Sequence, residues 1–264
     1  MSNSAPIGIF DSGLGGLSVV RAITQLMPAE TLLYVADTAH CPYGLRSADY
    51  LRERAMHITA WLQEQGAKAI VVACNTATVA TIATLRANFS LPIIGIEPAI
   101  RPAAANTRSG VIGVLATATT LGSAHLAALI ARHTDYHEVV TSACPGWVEA
   151  VEACALDTPA TAALVRNSVQ PLLDAGADTL VLGCTHYPFL RPLIEAVAGP
   201  SVHILETGLP VARQLQRQLQ THHLLATANP EPDHRFLSTA DPAQQREFVR
   251  QYWPGVREIA QLTL

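Results

Sequence analysis

The chain has 264 residues, a net charge of −4 and a hydrophobic content of 49%, with aromatics at only 5%. That length suits two small domains better than one large core, and the lack of any basic run excludes an electrostatic footprint for nucleic acid or an anionic membrane. No apolar run reaches the roughly 20 residues of a spanning helix, and the opening MSNSAPIGIF carries no charged start before an apolar stretch, so the sequence predicts a soluble, cytoplasmic protein without a signal peptide.

In chain order, Ile7–Asp11 reads as a buried strand and Leu14–Leu26 as a helix stopped before Pro28. Thr31–Ala36 is a second strand. Ala48–Gln65 is a helix ended by Gly66, a usual C-terminal signal. Ala69–Ala73 is a third strand, followed by a helix from Ala77, and Pro92–Ile96 is a fourth. This alternation predicts an α/β fold, a mostly parallel sheet flanked by helices.

The second half repeats the pattern. Gly66-Ala67-Lys68-Ala69-Ile70-Val71-Val72-Ala73-Cys74-Asn75-Thr76 aligns without a gap on Gly176-Ala177-Asp178-Thr179-Leu180-Val181-Leu182-Gly183-Cys184-Thr185-His186, at an offset of 110 residues. Ile7-Gly8-Ile9-Phe10 matches Ile112-Gly113-Val114-Leu115, Cys41-Pro42 matches Cys144-Pro145, and Ile94–Glu97 roughly matches Val202–Glu206. Parallel strands are all rich in Val and Ile, which accounts for the apolar positions. It does not account for a cysteine at the same step of both halves, so the order of matches predicts two pseudo-symmetric domains.

Open parallel sheets bind ligands outside the carboxyl ends of their strands. Cys74 and Cys184 both fall there, as do Asp11 and Ser12 after the first strand and Asp37 after the second. Two thiols facing one cleft from opposite sides suit inversion of a stereocentre, which needs a base on one face and an acid on the other. A free thiol near pKa 8.5 is only a few per cent ionised at pH 7. Such a site must therefore tune its thiols and stabilise carbanion charge with fixed donors. Asn75, Thr76, Thr185 and Ser12 offer hydroxyl and amide groups beside the cysteines, and Asp11 and His186 are candidate proton-handling partners. The odd cysteine count predicts free thiols, with Cys41, Cys144 and Cys154 as small buried apolar residues. No zinc spacing occurs, so no metal is expected. Lys68 is the only lysine and lies at the wrong end of its strand for a pyridoxal-phosphate Schiff base.

Plainer readings compete at several positions. Asp11 or Ser12 suits an N-cap for the Leu14 helix, and Pro42-Tyr43-Gly44 suits an ordinary turn. His186 suits a helix start, and Glu152 taken alone reads as a solvated helix residue. Gly13-Leu14-Gly15-Gly16 echoes a dinucleotide fingerprint, with Asp37 near the ribose-acid position. Ser18 replaces the third glycine, however, and Asp11 would face a pyrophosphate. A nucleotide-dependent oxidoreductase is therefore the weaker alternative.

Taken together, Gly8–Gly16, Pro42-Tyr43-Gly44, Ala73-Cys74-Asn75-Thr76-Ala77 and Leu182–Pro188 resemble glutamate racemases of the aspartate/glutamate racemase superfamily, over most of the chain and in the same order. The resemblance implies cofactor-independent conversion of L-glutamate to D-glutamate for peptidoglycan, with no metal and no nucleotide. It implies Cys74 and Cys184 as the acid/base pair, the first acting on the D-enantiomer and the second on the L-enantiomer. Asp11, Ser12, the Pro42-Tyr43-Gly44 turn, Asn75, Thr76, Thr185 and His186 would bind glutamate, and Asp11, Glu152 and His186 would be auxiliary polar groups around the thiols. An aspartate or broad-specificity racemase is the nearest alternative. The resemblance also implies a first domain of residues 1–97 completed by 210–264, with 98–209 as the second. The C-terminal segment then supplies a strand at Arg235–Thr239, a helix at Pro242–Tyr252 and a last strand at Arg257–Leu264. No nucleic-acid or membrane partner is expected, and a homodimer is compatible. Cys41 stands where such relatives more often carry an apolar residue, Trp147 lies in a stretch, Pro145–Glu152, where they are usually aliphatic, and Glu206-Thr207-Gly208 is a variant of a loop that often carries Ser.

Overall fold

The computed structural model describes residues 4–134, 136–228 and 231–264. The chain runs β1 (Ile7–Asp11), α1 (Leu17–Leu26), β2 (Leu32–Ala36), α2 (Ala48–Glu64), β3 (Ala69–Val72), α3 (Asn75–Asn88), β4 (Ile93–Gly95) and α4 (Ile100–Asn106). It continues through β5 (Val111–Ala116), α5 (Ala118–Leu121), α6 (Ala124–His133), β6 (Glu138–Ala143), α7 (Trp147–Glu152), α8 (Pro159–Asp174) and β7 (Thr179–Leu182). It ends with α9 (Arg191–Ala198), β8 (His203–Leu205), α10 (Gly208–Thr221), β9 (His234–Ser238), α11 (Arg246–Tyr252) and β10 (Val256–Gln261). Two compact units form, Met1–Ile96 with Gly208–Leu264, and Glu97–Thr207.

Within the first unit the strand order is β10-β9-β2-β1-β3-β4, and within the second β6-β5-β7-β8. Every pairing among the described residues is parallel. Four strands of the first sheet, β2-β1-β3-β4, follow the same path as the whole of the second. The register repeats too: Gly8 pairs with Ile70 and Gly113 with Leu180.

Two devices recur in both units. The helix before β3 ends with Gly66 at φ 81°, its N–H on Gln63 O at 2.9 Å and the Ala67 N–H on Leu62 O at 3.1 Å. The helix before β7 ends the same way, with Gly176 at φ 88° and bonds to Leu173 and Leu172 of 2.9 and 3.1 Å. Both are Schellman closures, which need the left-handed conformation that glycine adopts without strain. The second device is close approach. A Cβ on Gly8 would lie 2.8 Å from Ile70 Cδ1, and one on Gly113 would lie 2.7 Å from Leu180 Cδ2.

Apolar alternation then builds the cores. Phe10, Leu33, Val35, Ile70 and Val72 present one sheet face to Leu51, Ala55, Ile58 and Leu62 of α2. Fully burying each large aliphatic side chain contributes roughly 1.5–3 kcal/mol. In the second unit, Ile112, Val114 and Val181 pack with Ile100, Leu126 and Leu129.

Several boundaries differ from the sequence reading. Helix α1 starts at Leu17 rather than Leu14, because residues 13–16 form a turn, and its N-cap is Gly16 without a side-chain bond. Neither Asp11 nor Ser12 is therefore the N-cap of this helix. Helix α3 starts at Asn75, two residues early, because Cys74 itself is the N-cap. Helix α11 starts at Arg246, not Pro242, since the Asp241 carboxylate accepts from Ala243 N–H at 2.9 Å and holds a turn there.

Candidate active site

The carboxyl ends of three strands are tied together in the first unit. Asp37 N–H bonds Asp11 O at 2.9 Å, and Ala73 N–H bonds Phe10 O at 2.8 Å. Asp11, Ser12, Cys74, Asn75 and Thr76 converge on this edge, all buried. Cys74 ends β3 in extended conformation and caps the 14-residue helix α3, its Sγ accepting from Ala77 N–H at 3.4 Å. A helix N-terminus favours negative charge, so this placement favours the thiolate. Both polar atoms of the Asn75 amide are buried without a hydrogen-bond partner among the described residues. A buried amide in that state costs about 1–3 kcal/mol per orphaned group unless a ligand pairs it. Asp11 Oδ1 accepts from Ser12 N–H at 2.7 Å.

The turn after β2 is held by a network that sequence reasoning missed. Asp37 is fully buried and takes two bonds from Arg54, Nε to Oδ2 at 3.1 Å and Nη2 to Oδ1 at 2.7 Å. The Tyr43 hydroxyl donates to Asp37 Oδ2 at 2.6 Å. Burial, reinforced by the Asp37 carboxylate, pushes the Tyr43 phenol well above its ordinary value, so it stays a neutral donor. This geometry disposes of the dinucleotide reading. Both Asp37 oxygens are engaged internally rather than offered to a ribose. The Gly13–Gly16 turn has its own reason: Tyr34 Oη bonds Gly13 O at 2.7 Å, and a Cβ on Gly16 would lie 2.5 Å from that hydroxyl. Pro42, Tyr43 and Gly44 form the turn expected of them, with Tyr43–Leu45 as one 3₁₀ turn.

The second unit repeats the strand-end frame with different side chains. Cys144 N–H bonds Ala116 O at 3.2 Å, and Gly183 N–H bonds Leu115 O at 2.7 Å. Cys144 thus stands where Asp37 stands in the first unit. Burial pushes its thiol up to about 12, so it is a neutral packing residue. Cys184 follows β7, buried, with Sγ 3.7 Å from His186 Nδ1. His186 Nε2 lies 2.7 Å from Glu152 Oε1. Burial alone would neutralise this imidazole. The bonds and charges of Cys184 and Glu152 outweigh it and hold His186 well above its ordinary value. The imidazolium donates to Glu152 through one nitrogen and faces the sulfur with the other. Thr185 is buried beside them. Trp147 is fully buried and meets Tyr187 edge-on, ring centroids 4.7 Å apart.

Three sequence readings change here. Glu152 is not solvated: its side chain is 15% exposed and bonded to His186, a contact across 34 residues that no local pattern encodes. His186 precedes a short 3₁₀ turn, Tyr187–Leu190, not an α-helix. Cys154 is exposed, with φ 55°, because it closes α7 at the position glycine usually fills; Cys41 is half-buried. Lys68 is buried at the opposite end of β3 from Cys74, its Nζ 2.6 Å from Glu30 Oε2.

The Asp/Glu/hydantoin racemase family model matches residues 7–215. A glutamate racemase of Ectopseudomonas mendocina is 57% identical over 240 residues, covering 90% of this chain and 91% of its own. A crystal structure of a glutamate racemase isoform from Bacillus anthracis superposes with a TM-score of 0.89 at 33% identity, covering 99% of this chain and 98% of that one. The Escherichia coli glutamate racemase, solved in complex with L-glutamate and the activator UDP-MurNAc-ala, gives 0.88 at 30% identity over 98% of both chains.

Proposed function

Since the chain belongs to the Asp/Glu/hydantoin racemase family, we propose that it interconverts L- and D-glutamate by direct α-proton transfer between Cys74 and Cys184. One observation carries this reading. The two thiols end repeat-equivalent strands, each beside its own charge-stabilising group: the α3 N-terminus for Cys74, the His186 imidazolium for Cys184.

In the L to D direction, the Cys184 thiolate takes the α-proton and the electron pair delocalises onto the substrate carboxylate. The Cys74 thiol then donates its proton to the opposite face, leaving Cys184 protonated and Cys74 ionised. The reverse reaction exchanges the roles. Asn75, Ser12, Thr76 and Thr185 hold the substrate, with Asp11 and the Pro42-Tyr43-Gly44 turn completing its shell. Glu152 positions His186. Fixed donors in a dry site are worth several kcal/mol against a carbanion, which closes part of the gap between a carbon acid and a thiol. Each unit is a domain contributing one cysteine. The product supplies D-glutamate for peptidoglycan in the cytoplasm. No metal, nucleotide or pyridoxal phosphate takes part.

The experiment is α-proton exchange and racemisation in deuterated water. Wild type incorporates deuterium into glutamate, and the Cys74→Ala, Cys184→Ala double variant does not. Exchange at the wild-type rate in that variant overturns the two-thiol mechanism. Equal or faster turnover of L-aspartate overturns the substrate assignment.

A further inference from the structure

We infer that Trp147 and Tyr187 act together as positioning residues for the Cys184 side of the reaction: their ring contact fixes the helix that carries Glu152 against the turn that carries His186. The inference rests on the Cys184 reading above and adds to it two residues outside the substrate shell.

Helix α7 cannot place itself. It has six residues, and its N-cap, Gly146, offers no side-chain bond. Helices that short are unstable alone in water, so tertiary contacts decide where α7 lies. Trp147, Val148 and Val151 are its buried side chains. Gly146 sits at φ 81°, and a Cβ there would come 2.9 Å from Leu164 Cδ1, so α7 starts hard against α8.

The segment after β7 is a tight turn. Tyr187 N–H bonds Cys184 O at 3.2 Å and closes the chain around Thr185 and His186. Tyr187 is fully buried and meets Trp147 with ring centroids 4.7 Å apart and planes at 62°, an arrangement aromatic pairs favour. The indole N–H has no hydrogen-bond partner among the described residues, so ring shape rather than a polar bond carries the contact.

Side-chain pairs thus join α7 to this turn at both ends of the helix, Trp147 with Tyr187 at its start and Glu152 with His186 at its end. Residues 147 and 152 are about 7.5 Å apart along the axis. With the first contact loosened, a tilt of about 10° moves Glu152 by about 1.3 Å. That is enough to break its 2.7 Å bond. His186 then loses the carboxylate that orients it toward the Cys184 sulfur.

The test compares Trp147→Leu and Trp147→Phe with wild type and with Leu129→Ala, a cavity variant in the cluster of Ile112 and Val114, which includes no α7 residue. In Trp147→Leu the His186 titration, followed by NMR, should fall by about one pH unit, and kcat from L to D by about tenfold, the same free energy. With α-deuterated substrates, the isotope effect should rise from L to D, where Cys184 takes the proton. It should fall from D to L, where the Cys74 step no longer limits the rate. Trp147→Phe keeps a smaller ring edge and should give smaller shifts of the same sign, which keeps the test decisive if Trp147→Leu does not fold. Leu129→Ala should lose stability and move neither the titration nor the isotope effects. Unmoved titration and isotope effects in the Trp147 variants overturn the proposal, and so do equal shifts in Leu129→Ala. Cys184→Ala, expected inactive, tests the underlying reading separately: turnover at the wild-type rate there overturns that reading, while the His186 titration still judges the ring contact.

Discussion

Glu152 Oε1 and His186 Nε2 lie 2.7 Å apart although 34 residues separate them, and the pair fixes which imidazole nitrogen faces the Cys184 sulfur. Replacing the carboxylate by an amide keeps the shape and removes the charge. Glu152→Gln should therefore lower the pH at which His186 titrates, because a charge that holds the cation is gone. A charge-assisted bond is worth about 1.5–3 kcal/mol, so kcat in the L to D direction should fall about tenfold or more. NMR titration of His186 together with a pH profile of kcat reads both. An unmoved titration would sink the positioning role.

The same pair sets a pH dependence of stability. Folding raises the His186 pKa above its ordinary 6.5. A raised cation stabilises the fold fully below the unfolded value and loses that contribution as pH rises through the folded one. The stability gap between wild type and Glu152→Gln should then be largest near about pH 6 and shrink as the solution becomes alkaline, measured by urea unfolding. A gap that grows with pH contradicts the sign.

Gly183 and Ala73 are repeat equivalents, each one step before its cysteine, yet only one can be glycine-free. A Cβ on Gly183 would lie 3.0 Å from Leu115 O and 3.0 Å from Ala116 Cβ. The first is backbone and cannot rotate away. Gly183→Ala should cost about 1–3 kcal/mol of stability and reduce kcat by about 10–100-fold, since small misplacements of a reacting group are expensive. Ala73→Gly should lose only about 0.5–1 kcal/mol. Similar effects from the two changes in paired unfolding and activity assays would refute the steric argument.

Lys68 and Glu30 form a buried pair, and Glu30 Oε1 also accepts from Ala226 N–H at 2.8 Å. Lys68→Met leaves a buried carboxylate without its cation, at a cost of about 3–5 kcal/mol. Activity per folded molecule should stay at the wild-type level, since Lys68 lies at the far end of β3. Adding Glu30→Gln should restore much of the stability. Activity lost in proportion to Lys68 itself, with the fold intact, would reopen a chemical role for this lysine.

The strands were legible because parallel strands buried on both faces leave near-continuous apolar runs, as in Ala69–Val72 and, after Thr179, the Leu-Val-Leu of β7. Helix ends were legible where a backbone rule dictates the residue, as at Gly66 and Gly176. The Gly13–Gly16 turn misled because its glycines answer to the Tyr34 hydroxyl, a neighbour across the sheet rather than along the chain. Asp37 was noticed for the wrong reason, its partner Arg54 being 17 residues away on α2.

Local order therefore set the alternating elements, the internal repeat and the placing of Cys74 and Cys184 after matching strands, since each depends on periodicity and on neighbours along the chain. Partner choice did not follow from it. Which carboxylate meets His186, which cation neutralises Asp37 and which thiol stays inert depend on burial and on distances of about 3 Å between groups remote in sequence. Those interactions depend steeply on separation and on solvent access, and both exist only once the chain has packed.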